Sequence, residues 1–209
     1  MTVVIVNNMI VVIVKGDLLA DNVKRRMIEQ AALSLASKGL QRTSFSEVLE
    51  ASGAQRGSLY HHFPGGKDEL ILAALDVAGA WAMQQLEAAP ATNPAEVVEA
   101  FVALWRNVLL RSNFAAGCAL AAVTVAAETP DLVARAAAIF RDWRARIAAQ
   151  LERVGTPTPR AAELATLLIA ACEGAVLLAR AERSMEPFER TAEMLRQVVG
   201  SWRLDPPGS

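Results

Sequence analysis

The chain has 209 residues, 53% of them hydrophobic and 21% charged, which excludes an intrinsically disordered protein and suits one large domain or two small ones. The formal net charge is −1, so no global basic field marks a nucleic-acid partner, and any such field must be local. Cys118 and Cys172, the only two cysteines, each lie in an apolar Ala-rich run; this excludes a disulfide framework, favours a reducing, cytoplasmic setting and, with only two histidines, leaves no metal or cofactor expected.

Residues 3–14 read VVIVNNMIVVIV. Two β-branched runs flank Asn7-Asn8, a pattern that either closes as a hairpin or remains a loose extension. An unordered extension over 1–19 is the expectation, since termini order poorly unless tied down. The first twenty residues have neither a basic n-region nor a small-residue cleavage site, so no signal peptide is expected. From Asp21 onward the chain reads as helix. Met27, Ala31, Leu35 and Ala36 repeat at helical spacing, and Gly39 stops the pattern. Ser44-Phe45-Ser46-Glu47 is a capping box before Val48-Leu49. Ser52-Gly53-Ala54 makes a turn, and a short helix runs from about Gln55 to His61 before Pro64-Gly65-Gly66 breaks it. A long helix begins near Lys67 and ends near Ala88. Asn93-Pro94 opens the next helix, which carries Val97, Phe101, Trp105 and Val108. The apolar run Ala115–Ala127 holds a short helix and is too short to span a bilayer, which takes about 20 residues. Thr129-Pro130-Asp131 opens another, with Leu132, Ala136, Phe140, Trp143, Ile147 and Leu151 three or four residues apart. Two final helices cover about 160–183 and 187–202. The apolar stretch Leu164–Ala179 is broken by Glu173, so no membrane span is expected.

Two short helices joined by a glycine-containing turn, behind a longer helix, have the layout of a helix-turn-helix. Local charge supports it. Residues 22–67 carry seven basic and three acidic side chains, +4 against −1 for the whole chain. A basic end on an otherwise acidic molecule suits phosphate contact. The second short helix has little to bury beyond Leu59 and many hydrogen-bonding groups: Gln55, Arg56, Ser58, Tyr60 and His61. Gly57 inside it costs about 1 kcal/mol relative to alanine, which points to close approach of its backbone to something else. Lys67 opens the long helix, where backbone N–H groups and the dipole favour a phosphate. His61-His62 is not read as a metal pair, because neighbours on a helix do not face each other.

The run from Ser44 to Leu70, with Gly57-Ser58-Leu59-Tyr60-His61-His62-Phe63 and Lys67-Asp68-Glu69-Leu70, resembles the DNA-binding domain of TetR/AcrR-family regulators. Pro64-Gly65-Gly66-Lys67 and the later Gly117-Cys118-Ala119-Leu120-Ala121 are similar to the LmrA/YxaF-like branch. Gln55 departs from the family, in which many members carry Ser, Thr or Pro at that helix start. The resemblance implies that Ser44, Lys67, Tyr60 and His61 contact phosphates, that Gln55, Arg56 and Ser58 lie nearest the base edges, and that Phe63 is core.

The rest of the chain is aromatic and helical, and helical bundles can house a ligand between their helices. The aromatic candidates for an effector site are Trp81, Phe101, Trp105, Phe114, Phe140 and Trp143, with Cys118 beside them; each alone also fits an ordinary core. Asn107, Asn113, Thr124 and Glu173 are the polar candidates, and Glu173 equally suits solvent or a rim arginine such as Arg180. Leu164, Leu168, Ala171, Ala175 and Leu178 are spaced 4, 3, 4, 3, as are Phe188, Ala192, Leu195, Val199 and Trp202. Such seams suit packing within one chain or a four-helix dimer interface, and the resemblance implies the dimer.

The expected fold is all-α. An N-terminal helix-turn-helix three-helix domain covers 20–67, a helical bundle for effector binding and dimerisation covers 68–203, and 204–209 is a disordered tail. The expected function is a DNA-binding transcriptional regulator. It would be a homodimeric repressor on a double-stranded, pseudo-palindromic operator, released by a small apolar or aromatic effector. A helical small-molecule-binding protein without DNA binding is the alternative. No nucleophile–base pair, carboxylate dyad or metal cluster is legible, so no enzyme is expected.

Overall fold

The helical periodicity of the sequence is realised from Leu19 to Ser201. A computed structural model describes the backbone of residues 2–6, 9–13 and 19–201, and the side chains from 23 to 201. In chain order the described elements are β1 (Thr2–Val6), β2 (Met9–Ile13), α1 (Leu19–Lys38), α2 (Phe45–Ser52), α3 (Arg56–His62), α4 (Lys67–Ala88), α5 (Pro94–Arg111), α6 (Ala119–Ala126), α7 (Pro130–Arg153), α8 (Thr158–Glu182) and α9 (Glu186–Ser201). β1 and β2 pair antiparallel, with Val4 opposite Val11 and Val6 opposite Met9. The segment expected to be unordered is therefore paired over two five-residue strands, as β-branched runs favour. Asn7-Asn8, Trp202 and the tail at 204–209 lie outside the described residues.

Local chemistry sets the helix ends. Ser44, in extended backbone, accepts a hydrogen bond from the Glu47 N–H at 3.3 Å and caps α2. The reciprocal half of the capping box is absent, because the Glu47 carboxylate accepts from Lys38 Nζ at 3.2 Å instead. Asn93 caps α5 through the Glu96 N–H at 3.2 Å, with Pro94 in the first turn. Gly53 closes α2 at φ 67°, a left-handed conformation that glycine adopts without steric cost.

The chain divides into two compact units, one comprising 1–81 and 118–140, the other 82–117 and 141–209. The first is larger than the 20–67 segment expected for DNA binding: it continues along α4 to Trp81 and takes in α6 and the first half of α7. Its core gathers Met27, Ala31 and Leu35 of α1, Val48 and Leu49 of α2, Leu59, Phe63, Leu70, Ile71 and Leu75, all buried. α1 packs against both α2 and α6. Arg26 Nε donates to the Ser52 carbonyl at 3.1 Å, which fastens α1 to the end of α2.

In the second unit α8 packs on α9, and α5 packs on both. Leu164, Leu168 and Ala175 of α8 and Phe188, Ala192, Leu195 and Val199 of α9 are all buried inside this unit. Of the two uses open to these seams, a dimer interface or packing within one chain, these residues serve the second. Of their remaining members, Ala171 is half-buried and Leu178 exposed. Arg106 binds both Glu99 at 3.0 Å and Glu189 at 2.6 Å, and Arg196 reaches Glu99 at 2.9 Å, tying α5 to α9. The hydrogen bonds from Arg106, helped by the nearby charge of Arg196, hold the Glu189 carboxyl below the usual carboxylate range. α8 is long and apolar enough, by length and composition alone, to cross a membrane, despite Glu173. Here its buried side is covered by α5 and α9.

Candidate nucleic-acid interface

The seven-residue helix α3 turns almost everything outward. Leu59, 3% exposed, is its one buried side chain, whereas Tyr60 is 71% exposed. Gln55, Arg56, Gly57 and His61 are exposed as well, and Ser58 is partly so. The helix is anchored at its far end. The Phe63 N–H donates to the Leu59 carbonyl at 2.7 Å, the Phe63 ring is buried, and the Lys24 ammonium lies 5.4 Å from the ring centroid. Phe63 is core, as expected, while Tyr60 is mostly in solvent.

The start of α3 is unusual for a stable helix. Gln55 occupies the N-cap position, yet its side chain makes no capping hydrogen bond. Arg56 follows, and no acidic residue sits in the first turn to offset a cation at the positive end of the helix dipole. Gly57 has no positive φ, and a Cβ added to it would meet nothing within 4 Å. Among the described residues nothing therefore requires glycine at this position. Three successive residues lower the stability of this helix turn, and all three side-chain positions are exposed.

Ser44 and Lys67 are placed differently from the α3 residues. The Ser44 hydroxyl serves as the α2 cap and also lies 3.1 Å from Ser46 Oγ. Lys67 is half-buried and its ammonium donates to the Leu40 carbonyl at 3.2 Å. It thereby ties the first turn of α4 to the turn after α1, a role its sequence position did not show. Lys67→Met is expected to lower unfolding free energy by about 1 kcal/mol through that lost bond. If the ammonium also neutralises a phosphate, the slope of log affinity against log salt falls by about 1. Thermal melts and a salt titration read the two effects separately. The rings of His61 and His62 do meet edge-on, with centroids 5.1 Å apart. No group of three His, Cys, Asp or Glu able to hold a metal occurs among the described residues.

The aromatic candidates divide between the units. Phe101, Trp105 and Trp143 come together in the second unit, with Trp105 6.3 Å from Phe101 and 6.4 Å from Trp143 between ring centroids. All three are buried, and the Trp105 indole N–H has no acceptor among the described residues. Phe114 is half-buried in the loop between α5 and α6. Glu173 is half-buried beside Cys172, whose thiol is pushed up to about 12 by burial and, secondarily, by the Glu173 charge. In the first unit Trp81 and Phe140 are half-buried, and the indole N–H of Trp81 also has no acceptor. Cys118 is buried at the start of α6, where its Sγ accepts from the Ala121 N–H at 3.5 Å. Asn107, Asn113 and Thr124 are exposed, and the Thr124 hydroxyl donates to the Leu120 carbonyl of its own helix at 2.8 Å.

A second apolar surface lies on the outer side of the last two helices, only partly legible in the sequence through Leu178. Leu167, Leu177 and Leu178 of α8 and Met194 of α9 are exposed, together with Ala170, Gly174 and Ala181. A helix that is apolar all round carries two stripes of 4, 3 spacing, and periodicity alone cannot say which is inside.

Residues 28–74 match the tetR family of bacterial regulatory proteins, and residues 94–194 match the C-terminal domain of LmrA/YxaF-like transcriptional regulators. An uncharacterized HTH-type transcriptional regulator of Mycobacterium tuberculosis is 38% identical over 183 residues, spanning 84% of this chain and 93% of that relative. The HTH-type transcriptional regulator LmrA of Bacillus subtilis is 25% identical over 169 residues, 79% of this chain and 90% of its own length. Among solved structures, a TetR transcriptional regulator from Chloroflexus aurantiacus aligns with a TM-score of 0.72 at 28% identity, covering 87% of this chain and 96% of that one. The regulatory protein TetR from Rhodobacter sphaeroides shares the fold, with a TM-score of 0.74 at 22% identity over 84% of this chain and 98% of its own.

Proposed function

This chain belongs to the TetR family of bacterial transcriptional regulators, and from that premise we propose that it is a cytoplasmic repressor released from its operator by a small aromatic effector. α3 is the helix that enters the major groove. Gln55, Arg56 and Ser58 read base edges; Ser44, Tyr60, His61 and Lys67 contact phosphates. Arginine can pair bidentately with guanine and glutamine with adenine. The observation that carries this reading is Gly57: a helical glycine that no contact among the described residues requires, on a helix with one buried side chain. A surface that must admit a DNA backbone closely accounts for it.

The regulator acts as a homodimer through the outer faces of α8 and α9. Leu167, Leu177, Leu178 and Met194 supply the apolar contact, and Gly174, whose added Cβ would meet nothing within 4 Å, lets the partner helix come close. Two copies place two α3 helices on half-sites about 34–36 Å apart, which is why a pseudo-palindromic operator is expected. The effector binds among the aromatic side chains of the second unit, Phe101, Trp105, Phe114 and Trp143, a reading supported by the ring contacts that join Phe101, Trp105 and Trp143. The acceptor-free N–H of Trp105 favours a ligand that carries an oxygen or ring-nitrogen acceptor. Release is a population shift: the effector acts only through its differential affinity for two states, typically about 1–3 kcal/mol.

The test is Gly57→Ala, with operator binding measured by fluorescence anisotropy on the DNA upstream of the protein's own gene. The variant is expected to be more stable by about 0.5–1 kcal/mol, because alanine suits a helix better. Its operator affinity is expected to fall about tenfold or more, the loss of one contact to DNA. Unchanged affinity would remove α3 from the interface.

A further inference from the structure

We propose that Arg180 is a positioning residue for operator release: its guanidinium latches the loop between α5 and α6 in a strained conformation, and opening of that latch is the step that passes the effector signal to α6. The inference rests on the proposed repressor function.

The loop is unusual in its backbone. Asn113 and Phe114 lie consecutively in the left-handed region, at φ 50° and 64°. Asparagine tolerates that region, but a bulky residue such as phenylalanine there is a true outlier. Such strain persists only where the surroundings over-determine it, and it collects at switch regions. The surroundings can be named. The N–H groups of Ser112, Asn113, Phe114 and Ala115 donate to the carbonyls of Val108, Leu110, Leu109 and Ser112, and the Ala116 N–H donates to Ser112 Oγ. Two of the carbonyls that these turns leave over are taken by Arg180: Nη2 donates to Ala115 O at 3.0 Å and Nε to Phe114 O at 3.4 Å. One side chain of α8 thus holds the loop across a separation of 65 residues.

Gly117 shows that this approach is built into the sequence. A Cβ on Gly117 would lie 2.8 Å from Arg180 Nη1, nearer than real Cβ contacts come, and 3.1 Å from its Cδ, tighter than most, so a side chain here would push the guanidinium aside. Gly117 thus leaves room for the guanidinium in its present place, whereas a Cβ on Gly57 would meet nothing within 4 Å. The position of the latch gives it a role. Leu177 and Leu178, one turn before Arg180, are exposed on the face of α8 proposed to meet the second copy. On its other side the loop leads directly through Gly117 and Cys118 into α6, which packs against α1. The strained loop is a two-state element, latched or relaxed, joined in sequence to the helix that supports the DNA-binding fold.

Latch and strain form a thermodynamic cycle. Arg180→Met removes the latch, so the loop relaxes, and the state that binds operator is less populated. Operator affinity is expected to fall about tenfold, within the usual range of coupling between sites. Phe114→Gly removes the strain instead, so the latched conformation no longer needs the arginine. The double variant R180M/F114G is expected to regain operator affinity to within about threefold of the parent. Amide hydrogen exchange on the full-length protein supplies a readout that needs no DNA. Exchange over 112–126 is expected to accelerate in R180M and to return towards the parent rate in R180M/F114G. Arg180→Lys, which keeps the charge but cannot bridge two carbonyls with one planar group, is expected to resemble R180M. Unchanged exchange in R180M overturns the latch. So does R180M binding operator as tightly as the parent, or a double variant that stays as weak as the single one. A parent that shows no operator binding while the exchange pattern holds would count against the repressor reading and with it the release role, but the latch itself would stand.

Discussion

Phe63→Ala is expected to lower the unfolding free energy by about 3–5 kcal/mol, the range for truncating a buried aromatic, and to abolish operator binding with it. The size of the effect reflects where the ring sits. α3 has seven residues and contributes one buried side chain, Leu59, so its attachment depends on the residue just after its last turn. Phe63 supplies the attachment three ways. Its ring fills the core of the first unit, its N–H closes the last turn on Leu59 O at 2.7 Å, and its carbonyl accepts from the Gly66 N–H at 3.0 Å. Alanine keeps the two backbone bonds and loses the ring, leaving a cavity that the short helix cannot fill by moving, and it removes the surface beneath the Lys24 ammonium. Domains are stable by only about 5–15 kcal/mol in total, so a loss of this size leaves the DNA-binding helices marginal. Urea denaturation followed by circular dichroism measures it. A loss below about 1 kcal/mol would mean that Phe63 is not the anchor of α3, since that is less than truncating even a smaller buried side chain costs. Phe63→Leu, which keeps most of the volume, should recover both stability and binding.

The second large effect is expected to have no stability component. Arg56 is exposed and makes no hydrogen bond or ion pair among the described residues. It also places a positive charge at the N-terminus of α3, where the helix dipole disfavours it. Arg56→Ala should therefore leave the melting temperature unchanged or slightly raised. Its cost should appear only with DNA, as about 1–3 kcal/mol of operator affinity and relaxed discrimination at the base pair it contacts. A residue that stabilises nothing in the free protein and whose removal weakens one complex is read from the difference between two measurements: a melt and an anisotropy titration against operator and scrambled DNA. If the variant discriminates between the two as well as the parent, base reading belongs to other residues.

How much of the molecule is legible in its sequence depends on how local each cause is. Ser44 and Asn93 cap helices through bonds to residues three positions away, and Gly53 and Gly39 end helices through their own φ, so these boundaries emerge from short stretches of sequence. The character of α3 is legible for the same reason, because the imbalance between one leucine and many polar groups lies within seven residues. The illegible features come from contacts far apart in the chain. Lys67 donates to Leu40, 27 residues away, and nothing near Lys67 announces it. The first unit takes in α6 and half of α7, since α6 packs on α1, so its boundary could not fall at residue 67. The spacing on α8 and α9 identifies the seams but not their neighbour, because α8 is apolar on both sides. As a rim charge Arg180 would face solvent, yet it is a clasp on two carbonyls of a distant loop. For the effector candidates, the sequence picks out aromatic side chains but not their grouping, and among them ring-to-ring contacts join Phe101, Trp105 and Trp143.

Gly57 and Gly174 have a practical bearing on any attempt to improve this protein in the laboratory. Both sit in helices without positive φ, and alanine would fit both without touching a neighbour. A selection for heat resistance alone would therefore favour alanine at each of them. Such a variant would melt later, and it would have filled in two exposed helical positions that the proposed contacts with DNA and with the second copy need bare. A gain in heat resistance would then come with a loss of regulation.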